Sequence, residues 1–242
     1  MFKKLIIITT ALLLSGCACL NYNPQQELTN IAKRAQVSNV QIVMMCDGQP
    51  RTGASATVIR QDPETGKLTL LTANHVVDKK PNTCKKTQFV IWKEKDQNGN
   101  ELTIPVEIKG KDTHNDLALL ESTERIDKKY PIVYIASTNP SVGEEVISVG
   151  CPLVDDDIVD TVNKGTVALE GTPLHHAGDL RMGINAGIIN GMSGGAVYNM
   201  RGELVGVNQM VMLTATGTPL TQFGYAARPS TIRIFLKGQD EL

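Results

Sequence analysis

Gly191-Met192-Ser193-Gly194-Gly195 sets a serine among glycines, and two earlier segments give it a chemical context: Thr72-Ala73-Asn74-His75-Val76 and Asn115-Asp116-Leu117-Ala118-Leu119. Together they offer a nucleophile, its base and a carboxylate to orient the base. A neutral hydroxyl is a weak nucleophile, so acyl transfer needs an imidazole to take its proton and an acid to hold that imidazole. The glycines answer the same demand, because a backbone without side chains turns sharply and aims N–H groups at a developing oxyanion.

Outward from these segments, short apolar runs alternate with turn signals. A first set of expected strands covers 40–45, 54–59, 68–72, 88–92, 102–108 and 117–120, and a second covers 145–149, 165–169, 180–184, 196–198, 204–212 and 222–226. Pro63-Glu64-Thr65-Gly66, Gln97-Asn98-Gly99-Asn100 and Met200-Arg201-Gly202-Glu203 read as turns between them. Two such sets imply an all-β fold of two six-stranded antiparallel β-barrels, with 121–136 as the link. Pro229 and Ser230 introduce an expected C-terminal helix over 231–237 that stops at Gly238. Near the N-terminus, Asn23 and Pro24 open a short helix with Leu28, Ile31, Ala32 and Ala35 on one face. Internal repeats and low-complexity tracts are lacking.

Composition supports this reading. A chain of 242 residues can bury a substantial core in one domain. Aromatics are only 4 %, while valine, isoleucine, threonine and glycine are plentiful, which suits short strands and tight turns. The net charge of -1 carries no electrostatic footprint for nucleic acid, so that class of partner is set aside.

Residues 1–16 read as processing signal. Lys3 and Lys4 precede an apolar run over 5–14 that is too short to span a bilayer and has the length of a secretory core. Leu14-Ser15-Gly16-Cys17 resembles the bacterial lipobox, in which the cysteine is diacylated and becomes the first mature residue. Cys17 is thus the expected lipidation site and membrane contact, and an ordinary signal peptide that contains a cysteine is the alternative. Ala18 in place of aspartate implies, by resemblance to lipoproteins of Gram-negative cells, an outer-membrane anchor facing the periplasm. Residues 17–39 would be linker and short helix.

Cys19, Cys46, Cys84 and Cys151 then remain in a compartment that permits disulfides, and four cysteines allow three connectivities. Cys46 with Cys84 is the favoured pair, since both fall near expected strand ends around the His75 segment; buried, unpaired thiols are the alternative. There is no CxxC, and adjacent His175 and His176 point to opposite sides of a strand, so no metal or organic cofactor is expected.

The motifs Thr-Ala-x-His-Val, Asn-Asp-Leu-Ala-Leu-Leu and Gly-x-Ser-Gly-Gly, in that order, resemble the trypsin-like serine proteases of the chymotrypsin fold. The order His, Asp, Ser excludes the α/β-hydrolase arrangement. His75-Val76-Val77-Asp78, Val149-Gly150-Cys151-Pro152-Leu153, Gly202-Glu203-Leu204-Val205-Gly206-Val207-Asn208 and Phe223-Gly224-Tyr225-Ala226-Ala227-Arg228-Pro229 resemble the bacterial HtrA/Deg branch. The likeness spans 40–237 and implies a protease domain over 40–238 with a polypeptide substrate.

It further implies that Ser193 attacks the scissile carbonyl, that His75 takes and returns the proton, that Asp116 fixes the imidazole, and that the N–H groups of Gly191 and Ser193 form the oxyanion hole. By the same pattern Gly187 lies at the base of the primary pocket, Ile188, Ile189 and Asn190 line it, and Val207, Asn208 and Gln209 form a wall. No acidic residue falls at that base, so small or medium apolar side chains are expected before the scissile bond. His114 reads as a surface or turn residue and Asp155-Asp156-Asp157 as a solvated acidic turn, with support of the oxyanion loop as its other reading.

Met192 departs from the family. Trypsins carry aspartate there and HtrA-like enzymes asparagine, and the trypsin carboxylate pairs with a newly cut N-terminus to order the oxyanion loop. Met192 cannot form that ion pair, so packing or backbone bonds from the region 150–164 must hold the loop. The alternative is a distorted oxyanion hole in a weak or inactive protease-like lipoprotein that binds peptides or partners. The branch commonly carries a C-terminal peptide-binding PDZ module, for which the sequence after the closing helix leaves no room. Envelope quality control is the family inference and a narrow processing role its rival; no oligomeric state is implied.

Overall fold

The computed structural model describes residues 23–78, 83–95, 98–154, 157–158, 160–173 and 180–241. The expected signal peptide, Cys17, Cys19, Asp155, Asp156, His175 and His176 lie outside these residues.

The chain enters through helix α1 (Pro24–Ser38). Asn23 caps it, its side-chain oxygen accepting from the N–H groups of Gln25 at 3.1 Å and Gln26 at 3.2 Å, with Pro24 in the first turn where its missing N–H costs nothing. Ile31 and Ala35 face the protein. Strand β1 (Asn39–Cys46) follows directly, then β2 (Gln49–Gln61), β3 (Leu68–Thr72), the single-turn helix α2 (Asn74–Val77), β4 (Thr87–Lys95), β5 (Glu101–Asp112) and β6 (Leu117–Ser122). These six strands close an antiparallel barrel in the order β1-β2-β3-β6-β5-β4.

After the link, where Ile126 returns to the first barrel's core and Ile135 bridges Leu204, come β7 (Glu145–Gly150), the short pair β8 (Leu153–Val154) and β9 (Asp157–Ile158), then β10 (Thr161–Pro173), β11 (Leu180–Ile184), β12 (Ala196–Asn199), β13 (Leu204–Leu213), β14 (Pro219–Ala227) and helix α3 (Pro229–Lys237). The second barrel closes as β7-β10-β11-β14-β13-β12.

Strand alternation assigns each face. In β3, Leu68 and Leu70 fill the first barrel, whereas Leu71 faces the seam between barrels. In β6, Ala118 and Leu120 point inward while Leu117 and Leu119 join Leu71 in the seam. From the other side β7, β12 and β13 contribute Ile147, Val149, Ala196 and Val207, and the helices α1 and α3 add Ile31, Ala35, Ile232 and Phe235. Burying each large aliphatic side chain is worth about 1.5–3 kcal/mol, so this seam holds the two barrels together. Strands β3 and β6, covered on both faces, are rigid mounts for whatever their ends carry.

The twelve barrel strands coincide with the expected ones, but several run longer than their apolar runs. β10 begins at Thr161 because residues 161–164 pair with β7 although 161–163 are only partly buried and Lys164 is exposed; ladder bonding continues past the apolar stretch. The helix α2 and the pair β8–β9 have no counterpart in the expectation, being shorter than any periodicity can register. Cys46 and Cys84 are joined as a disulfide between the end of β1 and the approach to β4. Cys151 is unpaired and buried.

Candidate active site

Strand β3 ends at Thr72, and one turn of helix places His75 at the rim of the first barrel. Its neighbour β6 begins at Leu117, directly after Asp116, and Thr72 pairs with Ala118. Two adjacent strand ends thus bring imidazole and carboxylate together. The His75 N–H donates to Asp116 Oδ1 at 2.8 Å, and Asp116 Oδ2 lies 2.8 Å from His75 Nδ1. A carboxylate only accepts, so Nδ1 carries the hydrogen and Nε2 is left as a proton acceptor. Asp116 is buried, whereas the His75 side chain is 38 % exposed and reaches the cleft.

Asp116 adopts φ +52°, the left-handed region that aspartate visits only at a cost of order 1 kcal/mol. Its turn is braced from both sides. Asn115 is bonded to Asp112 through its N–H at 2.9 Å and its side-chain amide at 2.7 Å. From β13, the Gln209 amide donates to the carbonyls of Asn115 at 2.6 Å and Asp116 at 2.9 Å. His114 is exposed on the same turn.

Ser193 follows on the loop between β11 and β12. Its hydroxyl donates to the Gln209 carbonyl at 3.2 Å. Together with His75, Val76, Asn190 and Gly191 it lines a cleft of about 370 Å³ whose far wall comes from β1 and β2: Ile42, Met44, Thr52, Gly53 and Ala54. The backbone around it is bonded selectively. Met192 N–H donates to Ile189 O at 3.1 Å, Gly194 N–H to Asn208 O at 2.7 Å and Gly195 N–H to Met192 O at 3.0 Å, while the N–H groups of Gly191 and Ser193 have no acceptor among the described residues. Gly191 sits at φ +94° and Gly194 at φ +86°. A side chain at Gly194 would run into the Ser55 carbonyl and the Thr72 hydroxyl.

Met192 is fully buried in the second barrel's core with Ile188 and Val197. Gly150 faces it so closely that a Cβ there would stand 2.8 Å from Met192 Cα. Its sulfur lies 3.8 Å from the Thr161 hydroxyl and 3.9 Å from the Asn163 amide nitrogen. An apolar plug therefore sits where trypsins have an ion pair, and its partners come from the region 150–164.

The expected pocket residues separate. Asn190 lines the cleft that holds His75 and Ser193. Gly187, at φ +60°, borders a neighbouring cleft of about 380 Å³ with Asn163 and Phe223. Ile188 packs inward over Gly224, and Ile189 is exposed. Val207 and Asn208 do not present side chains as a wall: Val207 fills the seam, and the Asn208 amide donates to Ser148 Oγ at 2.9 Å and Val149 O at 3.1 Å. Here β13 is covered on both faces, so only from the exposed Met210 onward does it offer a surface. Gln209 is likewise buried and serves the Asp116 turn. Its one signal in the sequence is the polar pair Asn208-Gln209 inside an otherwise apolar strand.

Burial, followed by the nearby Asp160 carboxylate, pushes the Cys151 thiol far above its ordinary pKa. It is a protonated donor to Asp160 at 3.1 Å and no candidate nucleophile. No group of three His, Cys, Asp or Glu converges to hold a metal among the described residues.

Two barrels, a histidine–aspartate pair and a serine between glycines define the class, and residues 54–207 match the trypsin-like peptidase domain family, to which this chain belongs. Among curated relatives, the serine protease Do-like HtrA of Lactobacillus helveticus is 26 % identical over 187 residues, covering 74 % of this chain and 41 % of its own length. The "Probable periplasmic serine endoprotease DegP-like" of Rhizobium meliloti is 28 % identical over 173 residues, covering 70 % of this chain and 30 % of its own. The chain thus spans less than half the length of these relatives. In fold it resembles the serine endoprotease from Yersinia pestis, with a TM-score of 0.62 and 22 % identity over 90 % of this chain and 66 % of that one.

Proposed function

We propose that this chain is a serine endopeptidase of the HtrA/Deg type that cuts polypeptides through an acyl-enzyme on Ser193. The observation that carries the reading is the cleft in which a tautomer-fixed His75, the Ser193 hydroxyl and two unpartnered backbone N–H groups meet. Ser193 exchanges its bond to Gln209 O for His75 Nε2, gives up its proton there and attacks the scissile carbonyl carbon. Catalytic hydrogen bonds are often unmade before substrate arrives. The carbonyl oxygen becomes an oxyanion held by Gly191 N–H and Ser193 N–H, each such donor being worth about 3 kcal/mol. Asp116 stabilises the imidazolium, which protonates the leaving amine. Water, deprotonated by His75, then hydrolyses the ester and restores Ser193.

Small or medium apolar residues precede the cut bond, since Gly187, Ile188 and Ile189 bring no carboxylate to the site. The chain is secreted and lipid-anchored through Cys17, facing the periplasm from the outer membrane. The Leu14-Ser15-Gly16-Cys17 motif supports the anchor, and the periplasmic wording in the name of the Rhizobium meliloti relative supports the compartment. Envelope protein quality control follows from the family resemblance.

A fluorophosphonate probe tests the chemistry: it labels Ser193 in the native protein and fails on Ser193→Ala. Folded protein that takes no label would replace this reading with that of a peptide-binding module. For the anchor, Cys17→Ser leaves unprocessed precursor without radiolabelled palmitate, whereas unchanged membrane fractionation removes the lipid from the proposal.

A further inference from the structure

Ser55 belongs to β2 of the first barrel and is fully buried, yet its bonds go to the second barrel's serine loop. Its hydroxyl donates to the carbonyl of Gly191 at 2.7 Å and accepts the N–H of Cys151 at 2.7 Å. Its own N–H donates to the carbonyl of Ser193 at 2.8 Å, and its carbonyl accepts from Thr72 Oγ1 at 2.7 Å. One residue therefore grips the carbonyls on either side of Met192 and ties them to the end of β3, from which His75 departs.

Peptide planarity turns these grips into aim. Carbonyl and N–H of one trans peptide point in opposite directions, so fixing one fixes the other. The 192–193 peptide turns its carbonyl to Gly195 N–H and must send the Ser193 N–H the opposite way. The 191–192 peptide is held at both ends, by the Ser55 hydroxyl and by Ile189 O. The 190–191 peptide, which carries the Gly191 N–H, has no backbone bond of its own among the described residues. Its direction is set by the two dihedrals of Gly191, a residue free on both sides of φ, and the nearest anchor is the Ser55 hydroxyl on that glycine's own carbonyl.

We propose that Ser55 is a positioning residue for catalysis, whose hydroxyl holds the oxyanion loop in working geometry from the opposite barrel and so replaces the ion pair that Met192 cannot make. The inference rests on the assignment of Gly191 and Ser193 as oxyanion donors.

The test compares Ser55→Ala, Ser55→Cys and Ser55→Thr in the full chain, with rates expressed per folded molecule from circular dichroism at the assay temperature. Substrate is a peptide anilide with valine before the anilide; the probe of the oxyanion site is the matching peptide aldehyde, which forms a tetrahedral adduct on Ser193. Ser55→Ala lowers kcat about ten-fold with KM within about two-fold, and aldehyde affinity falls by the same factor as kcat. The alkaline and acid limbs of the rate profile stay in place, because His75 and Asp116 are untouched. Ser55→Cys, similar in volume but a weaker donor, falls between, and Ser55→Thr restores most of the rate. Amide hydrogen exchange across 189–195 rises in Ser55→Ala. Wild-type kcat and aldehyde affinity in folded Ser55→Ala would overturn the proposal, as would a fallen kcat with unchanged aldehyde affinity. Should the wild type show no turnover at all, the enzymatic reading falls, and unchanged exchange across 189–195 then overturns the positioning role separately.

Discussion

The first barrel runs through its strands as β1-β2-β3-β6-β5-β4, and the second repeats that sequence of moves as β7-β10-β11-β14-β13-β12. Identical topology nevertheless supports two unlike loops at the candidate site. His75 and Asp116 stand at the ends of β3 and β6, neighbours in the same barrel, and their double hydrogen bond forms within that barrel. The Ser193 loop joins two strands that are not neighbours, and it leans on Met192 below and Ser55 across the seam. Polar braces pass both ways, Ser55 to the serine loop and Gln209 to the Asp116 turn among them. The proposed base and nucleophile therefore come from separate barrels, and each depends on the other barrel being docked.

The largest expected effect removes the chemistry without disturbing the frame. Asp116→Asn keeps the geometry but favours the wrong imidazole tautomer, and kcat on a peptide anilide should fall about 10⁴-fold while the melting temperature changes little. Met192→Ala attacks the other half: emptying a buried site should cost about 2–5 kcal/mol in denaturant unfolding, with amide exchange rising first across 189–195. If that variant stays fully stable, the apolar plug is not what supports the loop.

Replacing Cys46 and Cys84 by serine opens a loop with a sequence separation of 38 that contains β2, β3 and His75. Stability should drop by about 2–4 kcal/mol while folded molecules keep kcat within a few-fold, because the bridge acts on the unfolded chain. Gln209→Leu strips the Asp116 turn of its cross-barrel donor, and about a ten-fold loss of kcat is expected from a turn already in an unfavourable backbone region. Full activity in this variant would make the base half self-sufficient.

The smallest effect concerns Cys151, next to the seam. Its thiol is held protonated in the native state, whereas in the unfolded chain it titrates near its ordinary value of 9.0. Above that pH the unfolded state binds fewer protons, so stability declines with rising pH, by at most about 1.4 kcal/mol per unit from this group. Dithionitrobenzoate at pH 8 should leave Cys151 unmodified until the protein unfolds. Rapid reaction in the native protein would show that the seam opens.

The barrel strands were legible because β-sheet side chains alternate and the turns between them carry glycine, proline and asparagine. His75 and Asp116 were legible because each sits at the end of an apolar run. The burial of Val207 and Asn208 was not legible, since it comes from a strand covered on both faces and depends in part on a barrel more than eighty residues upstream. Ser55 stood between two alanines with nothing to mark it.

Local pattern by itself determined the twelve strands, the pairing of two barrels, the triad candidates and the absence of an ion-pair partner at Met192, because each of these is written in neighbouring residues or in the chemistry of a single side chain. Only the tertiary structure decided that Met192 is a buried plug, that Gln209 braces a turn and that Ser55 grips the serine loop. The Ser55 and Gln209 bonds join residues 136 and 93 positions apart. What a polar side chain does in a seam is set by the unpaired group that faces it, and the closing of two barrels chooses that group.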